Sequence, residues 1–439
     1  MRRLNVFIEF NGCSVFAGEL TGNDSGDACF IYADSYLSNP EFHSISISLP
    51  KTEKTFDAVR TRNFFEGLLP EGFTRKCVAE QIHADEGDYL SILAGLGKEC
   101  LGAVKIIEEG AAADKPAYRP LPMAEVRRLA QEGVTESAQL VAKAHLSLTG
   151  ASGKAGLYYD ASNNRWYLPV GEAPSTHIVK QSHVRLKQIV ANEQLCLLTA
   201  GILGLKVPES FIVKTQPDAD GADSEENSEE VLFAVKRYDR IILPEHETLN
   251  GLAVPCRLHQ EDFAQALGIA ASEKYEKNRA DYLKQAFELL RLYSADPIAD
   301  QLMLWDICVF NYLIGNTDNH IKNLSLLYGP DLRTVRLAPA YDMLSTMIYE
   351  SSSENMAMSI GGLYNIREIG RDSFAKEAKH VGLGIKPAMT RFDAMAGRFE
   401  EALRAADGQL AAQGFAQAEA ISERILQKGG ISSYRKENR

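Results

Sequence analysis

No part of this chain constrains its fold more than residues 297–314, PIADQLMLWDICVFNYLI, which from Leu302 onward are apolar on nearly every face. A helix that is hydrophobic all round must be covered on all sides, so the segment predicts a central, buried helix. Gly315 ends it. The next residues, GNTDNHIKN (Gly315–Asn323), set Asp, Asn, His, Lys and Asn together just before the apolar run LSLLY. A polar loop fixed to a rigid buried element is where catalytic side chains are best held.

The rest of the chain reads as a mostly β half followed by a helical half. From Leu4 to Leu49 apolar residues alternate in period two (LNVFIEF, SISISLP) between Gly, Asn and Asp turns, which predicts short antiparallel strands. Residues 61–84 and 86–96 turn helical, and EEGAAADKPAYRPLP, with three prolines and no period, reads as a linker. From about Glu125 to Arg240 strands return in AGLYYD, RWYLP, THIVK, ESFIVK and VLFAVKRYD, with one helix at NEQLCLLTAGILGL. The acidic stretch QPDADGADSEENSEE reads as a solvated hairpin insertion. After Gln260 the text is helical apart from short strands near LSLLY and TVRLAP. This order predicts an α+β fold of two lobes with a cleft between them.

At 439 residues with 45% hydrophobic content, the chain can bury a sizeable core and should divide into two or three domains. Its formal charge of −12 argues against non-specific binding to nucleic acid or to an anionic membrane. Seven scattered cysteines without a C-x-x-C pair suggest reduced core residues rather than disulfides or a zinc site. Neither a signal-peptide core nor a membrane-spanning run is visible, and a cytoplasmic location is expected.

Asp318 and Asn323 are five apart, the D-x-x-x-x-N spacing of the protein-kinase catalytic loop, where Asp accepts the hydroxyl proton and Asn holds magnesium. The same spacing also fits a helix C-cap with an Asx-turn. RLAPAYDML adds Asp342 after a short strand, where a second magnesium-binding carboxylate is expected. Upstream, SLTGASGKAGLYY (Ser147–Tyr159) is a small-residue loop in which Gly150 and Gly153 would let the backbone approach an anion beside Lys154, though an ordinary hairpin turn fits as well. Lys180 ends the strand THIVK, either reaching nucleotide phosphates or lying on a solvated edge. Glu193, at the start of its helix, either pairs with Lys180 or serves the helix dipole. His320 reads as a loop hydrogen-bonder rather than a base.

Taken in order, SLTGASGK, THIVK, NEQLCLLTAGILGLKVPES, FAVKRYDR, QEDFAQALG, LIGNTDNHIKNLSL and LAPAYDMLS resemble the HipA family of bacterial serine/threonine kinase toxins. SISLP, FFEGLLPEG and GLGKECLGAV are similar to the small β-rich domain preceding the kinase core in full-length members. The resemblance implies a protein-kinase-like, two-lobed α+β fold: an N-terminal β-rich subdomain (1–110), a kinase N-lobe with a phosphate loop (111–240) and an all-helical C-terminal lobe (241–439). It implies ATP and Mg2+, with Asp318 as catalytic base, Asn323 and Asp342 as metal ligands, and Lys180 on the phosphates. Thr149, Gly150, Ala151, Ser152, Gly153 and Lys154 would form or flank the phosphate loop; Lys236 to Tyr238 would meet the adenine, with His320, Lys322 and Tyr341 lining the same pocket. Ser147 matches an inhibitory autophosphorylation serine.

The implied partners are a basic helix-turn-helix antitoxin of the HipB kind, which would carry the DNA contacts, and an aminoacyl-tRNA synthetase as substrate. Family loops often read Gly-Ala-Gln-Glu-Lys where this chain has GASGK, Lys236 stands where an acidic residue is common, and the D-F-G of ordinary kinases is absent. Two other readings are a nucleotide-sensing co-repressor that transfers no phosphate, and a kinase of small molecules or lipids.

Overall fold

The computed structural model describes residues 2–111, 115–132, 153–181, 186–215 and 231–437. It separates into two compact units: residues 1–183, 213–271 and 326–335 form one, and residues 184–212, 272–325 and 336–439 the other. Among the described residues no helix is long and apolar enough to cross a membrane.

The first unit holds two large sheets and two small two-stranded ones. Strands β1 (Arg2–Phe10), β2 (Cys13–Gly22), β3 (Cys29–Tyr32), β4 (Thr55–Phe56) and β5 (Val104–Glu108) form one, in the order β4-β3-β2-β1-β5. The period-two pattern has its physical counterpart here, because Leu4, Val6 and Ile8 of β1 are wholly buried. Asn11 and Gly12, both at positive φ (49° and 79°), make the tight turn that pairs Phe10 with Cys13. At Gly18 an added Cβ would lie 2.2 Å from the Ile31 carbonyl, so only glycine lets β2 and β3 approach there.

SISISLP does not become a strand. It is a loop whose Ile45 and Leu49 are buried and whose polar groups are satisfied by side chains instead of a ladder. The Ile45 N–H donates to the Tyr32 hydroxyl (2.9 Å), which in turn donates to the Leu49 carbonyl (2.8 Å). Ser46 Oγ and the Ile47 N–H donate to the carboxyl of Glu261 (2.5 and 3.1 Å), and the Tyr328 hydroxyl donates there too.

Burial pushes the Glu261 carboxyl up to about 7, against those three hydrogen bonds, and pushes His259 down to about 4. Each displacement is worth about 3 kcal/mol. Glu261 binds its proton more tightly folded than unfolded, so its contribution is complete below pH 4.5 and is lost as pH rises towards 7. His259 does the reverse, contributing fully above pH 6.5 and losing that contribution as pH falls towards 4. The two nearly cancel between pH 4.5 and 6.5. Glu261→Gln should therefore gain about 3 kcal/mol relative to the parent between pH 4.5 and 7.5. Urea unfolding of both proteins across that range measures it; a constant difference would refute the assignment.

The second sheet has the order β10-β11-β9-β7-β8-β6, where β6 is Ala117–Leu121, β7 Lys154–Asp160, β8 Arg165–Val170, β9 His177–Gln181, β10 Ser210–Lys214 and β11 Val231–Lys236. Part of the proline-bearing linker is thus the edge strand β6, where Pro120 is tolerated because an edge residue need not donate to a ladder. The helix Met123–Glu132 follows, in a stretch expected to return to strands; the spacing of Val126, Leu129 and Ala130 is its sequence signature. The acidic insertion, residues 216–230, lies outside the described residues.

Between the sheets' ends lies a buried ionic network. Arg237, Arg240 and Arg257 surround Glu99, with N–O distances of 3.2, 2.9 and 2.8 Å, while Asp239 pairs with Arg237 and Arg240 and Glu9 with Arg257. Three guanidinium groups thus meet three carboxylates.

The second unit is mainly helical. Pro297–Ile314 is its centre, capped at the start by Asp296, whose side chain accepts from the Ala299 N–H, with Pro297 in the first turn. Trp305 Nε1 donates to the Ala388 carbonyl (2.9 Å) of Ile385–Ala412, and the Tyr312 hydroxyl donates to Ile369 (2.8 Å). The lobe is not helical throughout. Asn355–Ile360 and Leu363–Asn365 form a hairpin around Gly361 and Gly362, both at positive φ, a turn signal that the helical reading passed over. Of the seven cysteines, Cys100, Cys196, Cys256 and Cys308 are buried, whereas Cys13 is exposed and Cys29 and Cys77 are partly so; all are free thiols.

Candidate active site

The loop after the central helix is built by its cap. Gly315 sits at φ +75°, and its N–H reaches the Asn311 and Tyr312 carbonyls. A Cβ there would lie 3.0 Å from Met347 Cβ and from Gly429 Cα, so glycine is required by both conformation and space. The Gly315 carbonyl accepts from the Thr346 and Met347 N–H groups, each at 3.0 Å. Thr317 donates its N–H to Thr346 Oγ1 (2.8 Å). The loop is therefore stitched to the segment that follows Asp342.

Asn316 is the keystone of that stitching. Its Nδ2 donates to Asn311 Oδ1 (2.7 Å) and to the Asp342 carbonyl (3.3 Å), and its Oδ1 accepts from the Asp318 N–H (3.1 Å). A third support comes from Asn192, wholly buried on the helix Ile189–Ile202. It exchanges two hydrogen bonds with the Ser345 backbone, at 2.8 and 3.0 Å.

On this scaffold Asp318 is exposed, and the Tyr275 hydroxyl donates to its Oδ1 at 2.5 Å. Asn323 Nδ2 donates to the Asp318 carbonyl at 3.0 Å, which leaves Oδ1 of the amide to accept from elsewhere. Asp342, half-buried, adopts φ +52°, a conformation that costs a non-glycine residue about 1 kcal/mol and is found at functional sites. His320 is buried and meets the Tyr275 ring edge-on at 5.3 Å. Lys322 is buried, and its carbonyl accepts from the Tyr341 hydroxyl (3.0 Å), which also bonds Ser325 Oγ (2.6 Å). Asp318, His320, Lys322, Asn323, Tyr341 and Asp342 thus all belong to the second unit.

Lys154, Lys180, Lys236 and Tyr238 belong to the first unit. Lys154 opens β7 and stands directly opposite Lys180 of β9, with the Lys180 ammonium 5.6 Å from the centre of the Phe233 ring. Gly153 is buried just before β7. Ser147, Thr149, Gly150, Ala151 and Ser152 lie outside the described residues. Lys236 is exposed at the end of β11, and the Tyr238 hydroxyl donates to Gln260 Oε1. Between them Arg237 is fully buried in the ionic network, a structural anchor inside a segment read for its part in binding. Glu193 is buried in the second turn of a helix that begins at Ile189, so it does not cap that helix, and it falls in the other unit from Lys180.

Tyr275, Asn192, Asn316 and Thr346 were not singled out from sequence. Asn192 had only a weak signal, as one of three consecutive polar residues in a mostly apolar helix, and Tyr275, in EKYEKN, had none. Tyr275→Phe should preserve the fold and lower kcat about fivefold with little change in KM, the worth of one hydrogen bond that orients a reacting carboxylate. Steady-state kinetics on the purified variant read this, and an unchanged kcat would remove Tyr275 from the site.

An α+β architecture that carries a carboxylate-bearing loop at the end of a buried helix is one that kinases use. The descriptions "HipA N-terminal domain" and "HipA-like C-terminal domain" match residues 11–107 and 146–405. A Sinorhizobium fredii protein named "Putative kinase Y4mE" is 33% identical over 376 residues, 84% of each chain. The serine/threonine-protein kinase toxin HipA of Shewanella oneidensis is 25% identical over 351 residues, covering 77% of this chain and 76% of that one. Among solved structures, the Shewanella oneidensis complex of HipA, HipB and operator DNA matches over 99% of both chains with a TM-score of 0.76 at 22% identity. The chain belongs to the HipA family.

Proposed function

We propose that this chain is an ATP- and magnesium-dependent protein serine/threonine kinase and the toxin half of a toxin–antitoxin pair. The observation that carries the reading is the loop Gly315–Asn323, which presents Asp318 to solvent on a buried, hydrogen-bonded frame, with the Asn323 amide held to the Asp318 carbonyl through Nδ2. In this reading residues 1–110, 111–240 and 241–439 serve as accessory subdomain, nucleotide-binding lobe and catalytic lobe.

Asp318 takes the proton from a substrate serine or threonine hydroxyl as that oxygen bonds to the γ-phosphorus and the bond to the β-phosphate oxygen breaks, releasing ADP. Asn323 and Asp342 are the metal ligands. They offer only hard oxygen donors, and no cluster of three or more His, Cys, Asp or Glu side chains fit for a metal occurs among the described residues. That donor set suits magnesium completed by nucleotide phosphates and water. Bound magnesium would supply positive charge to the phosphate oxygens. In this reading Lys180 and Lys154, which face each other across β9 and β7, bind the nucleotide phosphates together with Thr149, Gly150, Ala151, Ser152 and Gly153. Lys236 and Tyr238 meet the adenine, His320, Lys322 and Tyr341 line the pocket, and Ser147 is the autophosphorylated residue. A helix-turn-helix antitoxin similar to HipB is the partner that contacts DNA, and an aminoacyl-tRNA synthetase is the substrate.

The test is intact-mass spectrometry before and after addition of magnesium and ATP, beside Asp318→Asn. A gain of one phosphate that maps to Ser147 and is absent in the variant is expected. No gain, in a preparation that starts unphosphorylated and binds ATP, would overturn autophosphorylation and shift the reading towards a nucleotide-sensing co-repressor.

A further inference from the structure

Tyr275 reaches Asp318, and the next residue, Glu276, forms the floor of a cavity of about 750 Å³ in the same unit. Glu276 is buried and fully engaged. It accepts from the Asp281 N–H (3.1 Å), the Ser359 N–H (2.9 Å), Ser359 Oγ (3.3 Å) and the Tyr364 hydroxyl (2.9 Å), which binds the loop 276–281 to the hairpin at residues 355–365. The other two carboxylates of the cavity are also committed. Glu377, on the helix Arg371–His380, accepts from the Gly361 N–H (2.7 Å), and Asp281 meets His380 Nε2 at 2.7 Å.

The cations of the cavity are not committed in this way. Arg279, Lys376 and Lys379 are exposed around its rim and form no ion pair among the described residues. The backbone that carries Arg279 is unusual, since Asn278, Arg279 and Asp281 all adopt left-handed conformations (φ 56°, 57° and 61°), a costly run for non-glycine residues, with the Asp281 N–H tied to Glu276. The cavity therefore sets three exposed cations, without ion-pair partners among the described residues, beside three carboxylates whose oxygens already accept hydrogen bonds or meet His380.

We propose that this cavity docks an acidic segment of the protein substrate, a stretch carrying Asp or Glu side chains close to the serine or threonine that Asp318 deprotonates. The inference rests on the kinase reading above. Consecutive residues place the cavity and Asp318 on the order of 10 Å apart, about three residues of extended chain. A polypeptide suits the lining better than a nucleic acid does. A phosphodiester chain carries an anion at every step and would run past Glu276, Asp281 and Glu377, whereas a peptide can set its carboxylates on the cations and offer N–H groups elsewhere.

The experiment uses the full chain without nucleotide and two fluorescein-labelled heptapeptides, each with a central serine flanked by Glu and Asp or by Lys. Fluorescence anisotropy at 50 and 300 mM salt gives their affinities. The parent should bind the acidic probe about tenfold more tightly than the lysine probe at low salt, and less tightly at high salt. Lys376→Glu with Lys379→Glu, both on exposed positions, should abolish that preference, Lys376→Arg with Lys379→Arg should keep it, and MgATP affinity should be the same in all three. Absence of the preference in the parent, or its survival in the charge-reversed variant, would overturn the proposal. So would displacement of the acidic probe by oligouridylate at lower concentration than by unlabelled acidic peptide. Peptide binding needs no phosphoryl transfer and the intact-mass test needs no peptide, so the two readings fail separately.

Discussion

Asp318→Asn should slow phosphoryl transfer by roughly 10² to 10⁴ while moving the thermal midpoint by no more than about 2 °C. The expectation follows from where the residue sits. Asp318 is exposed, its side chain accepts from the Tyr275 hydroxyl, and the frame beneath it is held by Asn316, Thr317 and the Gly315 cap. An amide at this position can still accept from Tyr275 but cannot take up a proton from the attacking hydroxyl. Nucleotide affinity should be little changed, because the phosphate and metal contacts are assigned to other residues. Single-turnover transfer from ATP to Ser147 or to an added protein reads the chemical step directly. A variant that retains the parent rate would show that the loop positions substrate without acting as base.

Glu99→Gln should cost 3–5 kcal/mol of stability, about the expense of stranding a buried charge. Burial alone would raise the Glu99 carboxyl, but Arg240, Arg257 and Arg237 overcome it and hold it well below the ordinary carboxylate range. The group is therefore ionised at neutral pH. Neutralising it leaves three arginines facing only Asp239 and Glu9 in a region almost closed to water. Ser175, which donates both its N–H and its hydroxyl to Glu99 Oε1 (3.1 and 3.2 Å), keeps an acceptor in the amide, so the loss should be chiefly electrostatic. Adding Arg240→Met to Glu99→Gln should then recover part of the loss, and urea unfolding of the single and double variants measures that coupling. Strictly additive effects would mean that packing, not charge, dominates.

Different signals account for what could and could not be read from the sequence. The central helix was legible because its apolar residues leave no face for solvent, and Gly315 marked its end. The first strands declared themselves by alternation, while β6 fell in the stretch read as a linker; SISISLP alternates equally well and became a loop, because Tyr32 and the distant Glu261 satisfy its polar groups. Long-range side-chain pairing of this kind leaves no local period. The ionic network is illegible for the same reason, with partners 138 residues apart for Arg237 and Glu99 and 248 for Arg257 and Glu9. At the site, Asp318 and Asn323 stood out by spacing, whereas Tyr275 lies 43 residues before the carboxylate it touches and lacks any motif.

The ionic network also bears on how the chain is made. Glu9 and Glu99 leave the ribosome long before Arg237, Arg240 and Arg257, and they must wait for those cations to be synthesised. Until then the nascent amino-terminal sheet can close its apolar face but must keep Glu99 in water, so the module matures in two stages. An early stage is local and governed by hairpins, and a late one is gated by translation of the region after residue 237. A ribosome stalled between these points would hold a chain with secondary structure but without its ionic lock, a natural client for chaperones and proteases.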